Sequence, residues 1–193
     1  PFESCLRIDG LSIFMALIFI FLGFLAALYS IRYMERDSGI TLYYTLLLAM
    51  ICGLLGVVFS GDFFTLFVFW ELMCITSYML VAFRKQYWEP IEAGLKYLVM
   101  SSAGSATILL GLSILYGLTG TLNFAELATI ATQMSNIWGS VSLILIIAGF
   151  GVKAAIFPFH AWLPDAHPAA PTPISALLSG IVIKAGVYAI LRS

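Results

Sequence analysis

Residues 63–83 read FFTLFVFWELMCITSYMLVAF, an apolar run with a single charge, Glu71, near its middle. A membrane-crossing helix needs about 20 predominantly apolar residues, and this stretch is long enough. With no water to satisfy the backbone in hydrocarbon, it must close its own hydrogen bonds as a helix. The carboxylate is then the anomaly. A charge at the bilayer centre costs about 2.5–3.5 kcal/mol on insertion scales and normally faces a bundle interior. Two lysines repeat the pattern: Lys153 in LILIIAGFGVKAAIFPF (143–159) and Lys184 in PISALLSGIVIKAGVYAIL (173–191). Together the three ask for something on the order of 8–10 kcal/mol, more than simple anchoring explains, and ionisable groups at such depth mark ion pathways.

The rest of the chain follows from that stretch. Its 193 residues are 62% hydrophobic and 10% charged, with mean hydropathy +1.04, whereas a soluble domain carries about 25% charged residues. Spans are expected at 11–31, 41–60, 62–83, 95–118, 139–157 and 172–191. The expected fold is an all-α integral membrane bundle, a single transmembrane domain over 1–193, with about six helices and one of them broken at a proline. The alternating pattern of a membrane barrel is absent. The net charge of −1 gives no basic footprint for nucleic acid.

Cys5, Cys52 and Cys74 are scattered without metal-ligand spacing and read as small apolar residues. Nucleotide, flavin and cluster motifs are missing, so no cofactor, metal or redox centre of its own is expected. A redox enzyme is therefore a poor reading. A passive scaffold leaves the buried charges unexplained. The first apolar run lacks signal-peptide features. A start at Pro1 is what a fragment, or a shortened form of something longer, would have.

Basic residues orient the chain. Arg32 and Arg36 flank one connection, Arg84 and Lys85 another, while the opposite side has Arg7 and Arg192. The N-terminus is expected outside, with loops 32–39, 84–94 and 158–171 cytoplasmic. The expected location is a prokaryotic cell membrane, in preference to an organelle's inner membrane. Asp9 is expected to cap the first helix or pair with Arg7, and Asp62 to cap the third. QYWEP (86–90) reads as interfacial aromatics with a proline break. SSAGSA (101–106) reads as a close-packing stripe. Lys96 either snorkels to the interface or joins a relay. Residues 119–138 read as a loop with a short surface helix and a solvated Glu126.

The densest chemistry lies in 151–188. Five of the seven prolines fall between Pro158 and Pro173, and Pro158 is expected to break the fifth helix just past Lys153. Broken helices line cavities and ion sites in transporters. Burial favours a neutral amine and a nearby carboxylate favours the charged one, so Lys153 and Lys184 are natural proton carriers. Glu71 is the leading partner, expected to pair with Lys153 in one state and release a proton toward Lys184 in another. His160 and His167 flank WLPD and titrate near neutral pH. They are expected in the relay or as capping groups, because a bis-histidine haem would need ligands on facing helices.

RIDGLS, GVVFSGDFFTLFVFWELM and FPFHAWLPDAHPAAPTPISALLSGIVIKAGVYAILR together resemble the antiporter-like, proton-translocating membrane subunits. That family is shared by respiratory complex I (NADH-quinone oxidoreductase), Mrp-type Na+/H+ antiporters and energy-converting membrane-bound hydrogenases. The resemblance implies proton translocation within a multi-subunit oxidoreductase complex, with a sodium-linked variant and an Mrp-type antiporter subunit as the alternative. It assigns the carboxylate of a Trp-Glu motif to Glu71, the lysine of a broken helix to Lys153 and the next helix's lysine to Lys184. His160 and His167 match family histidines between the two lysines. Family members resemble fourteen helices in two inverted repeats. The six expected here match roughly the third to eighth, so the second half-channel would come from a longer chain or a separate polypeptide, alongside other membrane subunits.

Overall fold

The computed structural model describes residues 6–131 and 137–193; Cys5 lies outside them. No strand occurs among the described residues, only two isolated bridges. Helices α1 (Gly10–Tyr33), α2 (Ile40–Phe59), α3 (Phe63–Val81) and α4 (Trp88–Thr119) run in succession, then a short α5 (Phe124–Ala131) and α6 (Ile137–Lys153). Helix α7 (Leu163–Ala169) precedes the last span, Thr172–Arg192. That span is α8 (Thr172–Leu177), a π turn (Leu178–Val182) and α9 (Ile183–Arg192). Five helices are long and apolar enough to cross a membrane, and the sixth expected span, α6, is a shorter apolar helix of 17 residues. The chain is an all-α, multi-pass bundle.

Two clusters define its ends. At one, Arg84 pairs with Asp37 at 2.8 Å and the Thr172 hydroxyl bonds to the Tyr33 hydroxyl at 3.1 Å. At the other, Arg192 reaches Asp9 at 2.7 Å, and the Tyr188 hydroxyl donates to the Val58 carbonyl at 2.8 Å. Successive spans therefore alternate in direction, and the basic connections gather at the first end as the charge pattern requires. Asp37 beside Arg84 holds that guanidinium above its already high ordinary value. The Ser12 amide, and next the Arg192 guanidinium, hold the Asp9 carboxyl well below the usual carboxylate range.

Local chemistry explains most helix starts. Asp9 Oδ1 accepts from the Ser12 amide at 2.9 Å and Asp62 Oδ1 from Thr65 at 2.7 Å, each cap worth about 1 kcal/mol. Asp9 also lies 3.6 Å from Arg7. Helix α4 starts at Trp88, not near residue 95, because Pro90 falls in its first turn, where the missing N–H has no intrahelical partner to lose. The segment after α4 docks under α3: Phe63 donates to the Leu122 carbonyl at 3.0 Å, and the Phe63 and Phe124 rings meet edge to face at 4.7 Å. Glu126 on α5 is exposed.

Small residues set the closest packing. On α4 and α6, Gly104 faces Gly149 and Gly111 faces Ser142, whose hydroxyl donates to the Gly111 carbonyl at 2.7 Å. A methyl group at Gly149 would sit 2.6 Å from the Gly104 oxygen, so the two backbones touch as the small-residue stripe predicts.

Helix α6 ends inside this packing. Ile156 N–H bonds back to the Gly151 carbonyl at 3.0 Å and Ala155 N–H to Val152 at 3.3 Å, with Ala155 left-handed at φ +52°. This six-to-one and five-to-two pair is a Schellman stop. The helix therefore ends at Lys153, five residues ahead of Pro158, which is exposed beyond the turn. Gly186 of α9 presses against the stop; a methyl group there would lie 2.7 Å from the Ala154 nitrogen.

Candidate functional site

Lys153 is the last residue of α6 and is 2% exposed. Its ammonium donates to Ser77 Oγ on α3 at 2.9 Å and lies 4.3 Å from the centroid of the Tyr97 ring on α4. The Ser77 hydroxyl also bonds to the Tyr97 hydroxyl at 3.1 Å and to the Cys74 carbonyl at 2.7 Å. Three effects offset burying the charge. The partial negative charge at a helix C-terminus favours a cation by about 0.3–1 kcal/mol or more when desolvated. A desolvated cation–π contact adds roughly 2 kcal/mol, and the hydroxyl supplies a charge-assisted bond.

Trp162 seals the site. Its ring stacks on Tyr97 at 4.2 Å and 10°, and its indole N–H donates to the Val152 carbonyl at 2.8 Å. That bond gives the Val152 carbonyl, which already accepts from Ala155 N–H at 3.3 Å in the stop, a second and shorter donor for its other lone pair. The segment 154–171 thus closes over Lys153 from the same end of the bundle as Arg84.

Glu71 is one helical face away. It is half-buried and accepts from the Ser105 hydroxyl of α4. Its neighbour Trp70 is buried against Phe150 of α6, rings 4.7 Å apart. Glu71 and Lys153 form no ion pair among the described residues. Cys74 on α3 and Ser101 on α4, both buried, occupy the intermediate positions of the two stripes that carry Glu71 and Ser77 on one side and Ser105 and Tyr97 on the other.

The other expected residues are placed apart. Lys184 is exposed on α9, two residues past the π turn, with Val187 and Leu191 exposed three and seven positions on. His167 Nδ1 lies 2.7 Å from Ser175 Oγ, tying α7 to α8, and His160 is exposed with its ring tilted against Phe157. Lys96 is half-exposed, 2.9 Å from Asp165 of the WLPD stretch and 3.0 Å from Glu92. Cys52 is exposed.

Sequence reasoning missed Ser77, Cys74, Tyr97, Ser101, Ser105 and Trp162. The signal was present: Tyr97, Ser101 and Ser105 recur every four residues on one face of α4, and Glu71, Cys74 and Ser77 every three on α3. Each is unremarkable alone, and only the facing stripes give them meaning.

Residues 60–193 match the family model described as NADH:quinone oxidoreductase/Mrp antiporter, TM, and residues 2–44 match that of the NADH-ubiquinone oxidoreductase (complex I) chain 5 N-terminus. The chain belongs to this antiporter-like membrane subunit family. It is 36% identical to NADH-quinone oxidoreductase subunit N of Desulforudis audaxviator over 197 residues, covering all of this chain and 38% of that relative. It is 34% identical to a Na(+)/H(+) antiporter subunit of Bacillus subtilis over 194 residues, with 100% and 39% coverage. A subunit of the archaeal membrane-bound sulfane sulfur reductase superposes with TM-score 0.93 at 39% identity, over 98% of this chain and 39% of that one. The chain thus spans about two fifths of the length of the antiporter-like relatives it matches.

Proposed function

We propose that this chain carries one half-channel for protons in an energy-converting oxidoreductase complex, with Glu71, Lys153 and Lys184 as its ionisable stations. The observation that carries the reading is Lys153, fully buried at the interior end of a broken helix and held by hydroxyl and aromatic partners. A buried amine moves charge by gaining and losing a proton, and an ammonium repels Na+; both favour protons as the cargo. Lys153 alternates between its present partners and Glu71, and passes its proton toward Lys184. His160 and His167 lie on the segment between the two lysines, where protons would enter or be handed on, and Lys96 stands at the mouth beside Asp165.

Lys184 faces outward from this chain at mid-span. A lysine at that depth ordinarily faces protein or a water-filled cavity, which supports a covering second half-channel from the remaining length of the family fold. The chain would bring no redox centre, and partner subunits would drive it. The basic end of the bundle would face the cytoplasm, leaving the N-terminus outside. The 34% identity to an antiporter subunit supports one second reading, a Na+/H+ antiporter subunit of Mrp type.

The test is ion pumping by the intact complex in sealed vesicles, wild type against Lys153→Ala, with electron transfer followed in parallel. Loss of pumping in an assembled complex is expected; undiminished pumping would overturn the reading. Pumping that needs Na+ and no electron donor would favour the antiporter.

A further inference from the structure

Helix α4 supplies the groups that hold Glu71 and Lys153 apart. Tyr97, Ser101 and Ser105 lie at i, i+4 and i+8, so they form one stripe about 12 Å long. All three are buried, at 0%, 6% and 8% exposure. The Ser105 hydroxyl bonds the Glu71 carboxylate, Ser101 fills the buried turn between, and Tyr97 receives the Lys153 ammonium on its ring while bonding Ser77, which accepts from the same ammonium. The carboxylate and the ammonium therefore each end on a partner fixed by α4, at opposite ends of the stripe. In low dielectric, opposite charges left to themselves would close on one another.

We infer that the Tyr97–Ser101–Ser105 stripe of α4 is the positioning element of the relay. Ser105 parks Glu71 at one end, Tyr97 with Ser77 parks Lys153 at the other, and the separated pair is thereby kept populated. The inference rests on the relay reading of Glu71 and Lys153 and gives the α4 residues that solvate the two charges a further task, setting the distance between them. Because both parking groups sit on one rigid helix, a small shift of α4 against α3 and α6 loosens both ends together. The seam that lets α4 slide on α6 is adjacent, where Gly104 meets Gly149. Without the parking hydroxyls the pair collapses into a closed ion pair that holds its proton.

The test compares Ser105→Ala with Ser105→Thr in the intact complex, measuring proton pumping per electron transferred in sealed vesicles and quantifying assembly. Losing a hydrogen bond to a charged group is expected to slow pumping roughly tenfold in Ser105→Ala, and the hydroxyl of Ser105→Thr restores most of the rate. A packing role predicts the reverse order, because Ala fits a site that is already full and Thr overfills it. Equal rates in the two variants, or a lower rate in Ser105→Thr, would overturn the inference. Tyr97→Leu, which removes both the ring under the ammonium and the hydroxyl that holds Ser77, supplies a second measurement at the other end; a wild-type rate there in an assembled complex limits the stripe to Ser105 and overturns the two-ended claim. Normal pumping by Lys153→Ala would instead bring down the relay reading itself, so the two failures are distinguishable.

Discussion

Lys153 and Lys184 occupy comparable apolar runs, yet one is sealed under two stacked aromatic rings and the other stands on the surface of this chain. The difference comes from what each helix does nearby. Helix α6 stops at Lys153, so the ammonium collects the helix C-terminus, Ser77 and Tyr97 around itself. The last span continues past Lys184 after a π turn, which adds a residue to one turn and re-aims the side chains that follow. Gly186 and Ala185 then pack inward while Lys184, Val187 and Leu191 turn out. A buried charge that a chain satisfies alone differs from one that it leaves to whatever covers that face.

The strongest way to break this contrast is Lys153→Ala against Lys184→Ala. Pumping by the complex is expected to fall to background in the first. In the second the thermal stability of the chain should stay within about 0.5 kcal/mol of wild type, as for exposed positions without partners, while pumping falls. A large loss of stability in Lys184→Ala would mean that the lysine has partners within the chain. Gly186→Val comes next: backbone contact with Ala154 leaves no room, and overpacking should cost about 1–3 kcal/mol in detergent unfolding while lowering pumping through the displaced break. Trp162→Phe keeps the stack and removes the indole N–H to Val152, so about 1 kcal/mol should be lost.

The Asp9 cluster gives a pH signature for the far end. Its carboxyl is held low in the fold, so its contribution is present above the unfolded value near pH 4 and fades as pH falls further. Asp9→Asn should therefore lower the melting temperature at neutral pH, and the difference from wild type should shrink in acid. The smallest effect is expected of Ala155→Gly. Relieving a left-handed alanine should gain about 0.5–1 kcal/mol, and pumping should persist if the break serves only to end the helix.

Much of this is legible in the chain. The helical spans, the Asp9 and Asp62 caps and the close α4–α6 seam follow from hydropathy, capping and small-residue spacing. The stop of α6 is not, because a Schellman turn ending in Ala155 carries no glycine to announce it, and Pro158 points to the wrong residue. The start of α4 is masked for the opposite reason, since a proline in a first turn begins a helix as readily as it ends one. The partners of Lys153 are hidden because Ser77 and Tyr97 acquire meaning only when α3 and α4 face each other, a tertiary fact that periodicity within one helix does not contain.

Helix α4 has one more consequence. Its 32 residues span about 48 Å, against a hydrocarbon core of about 30 Å. Even at a steep tilt near 40° the helix overshoots. The polar residues of its first turns, Glu89, Glu92 and Lys96, give the overshoot its place, among the lipid headgroups. The Lys96–Asp165 bond then lies at the waterline, and the depth of Lys153 below it is set by the lipid as well as by the protein. Vesicles of longer-chain lipid would draw that waterline up the helix, making acyl length a variable to hold fixed whenever pumping rates are compared.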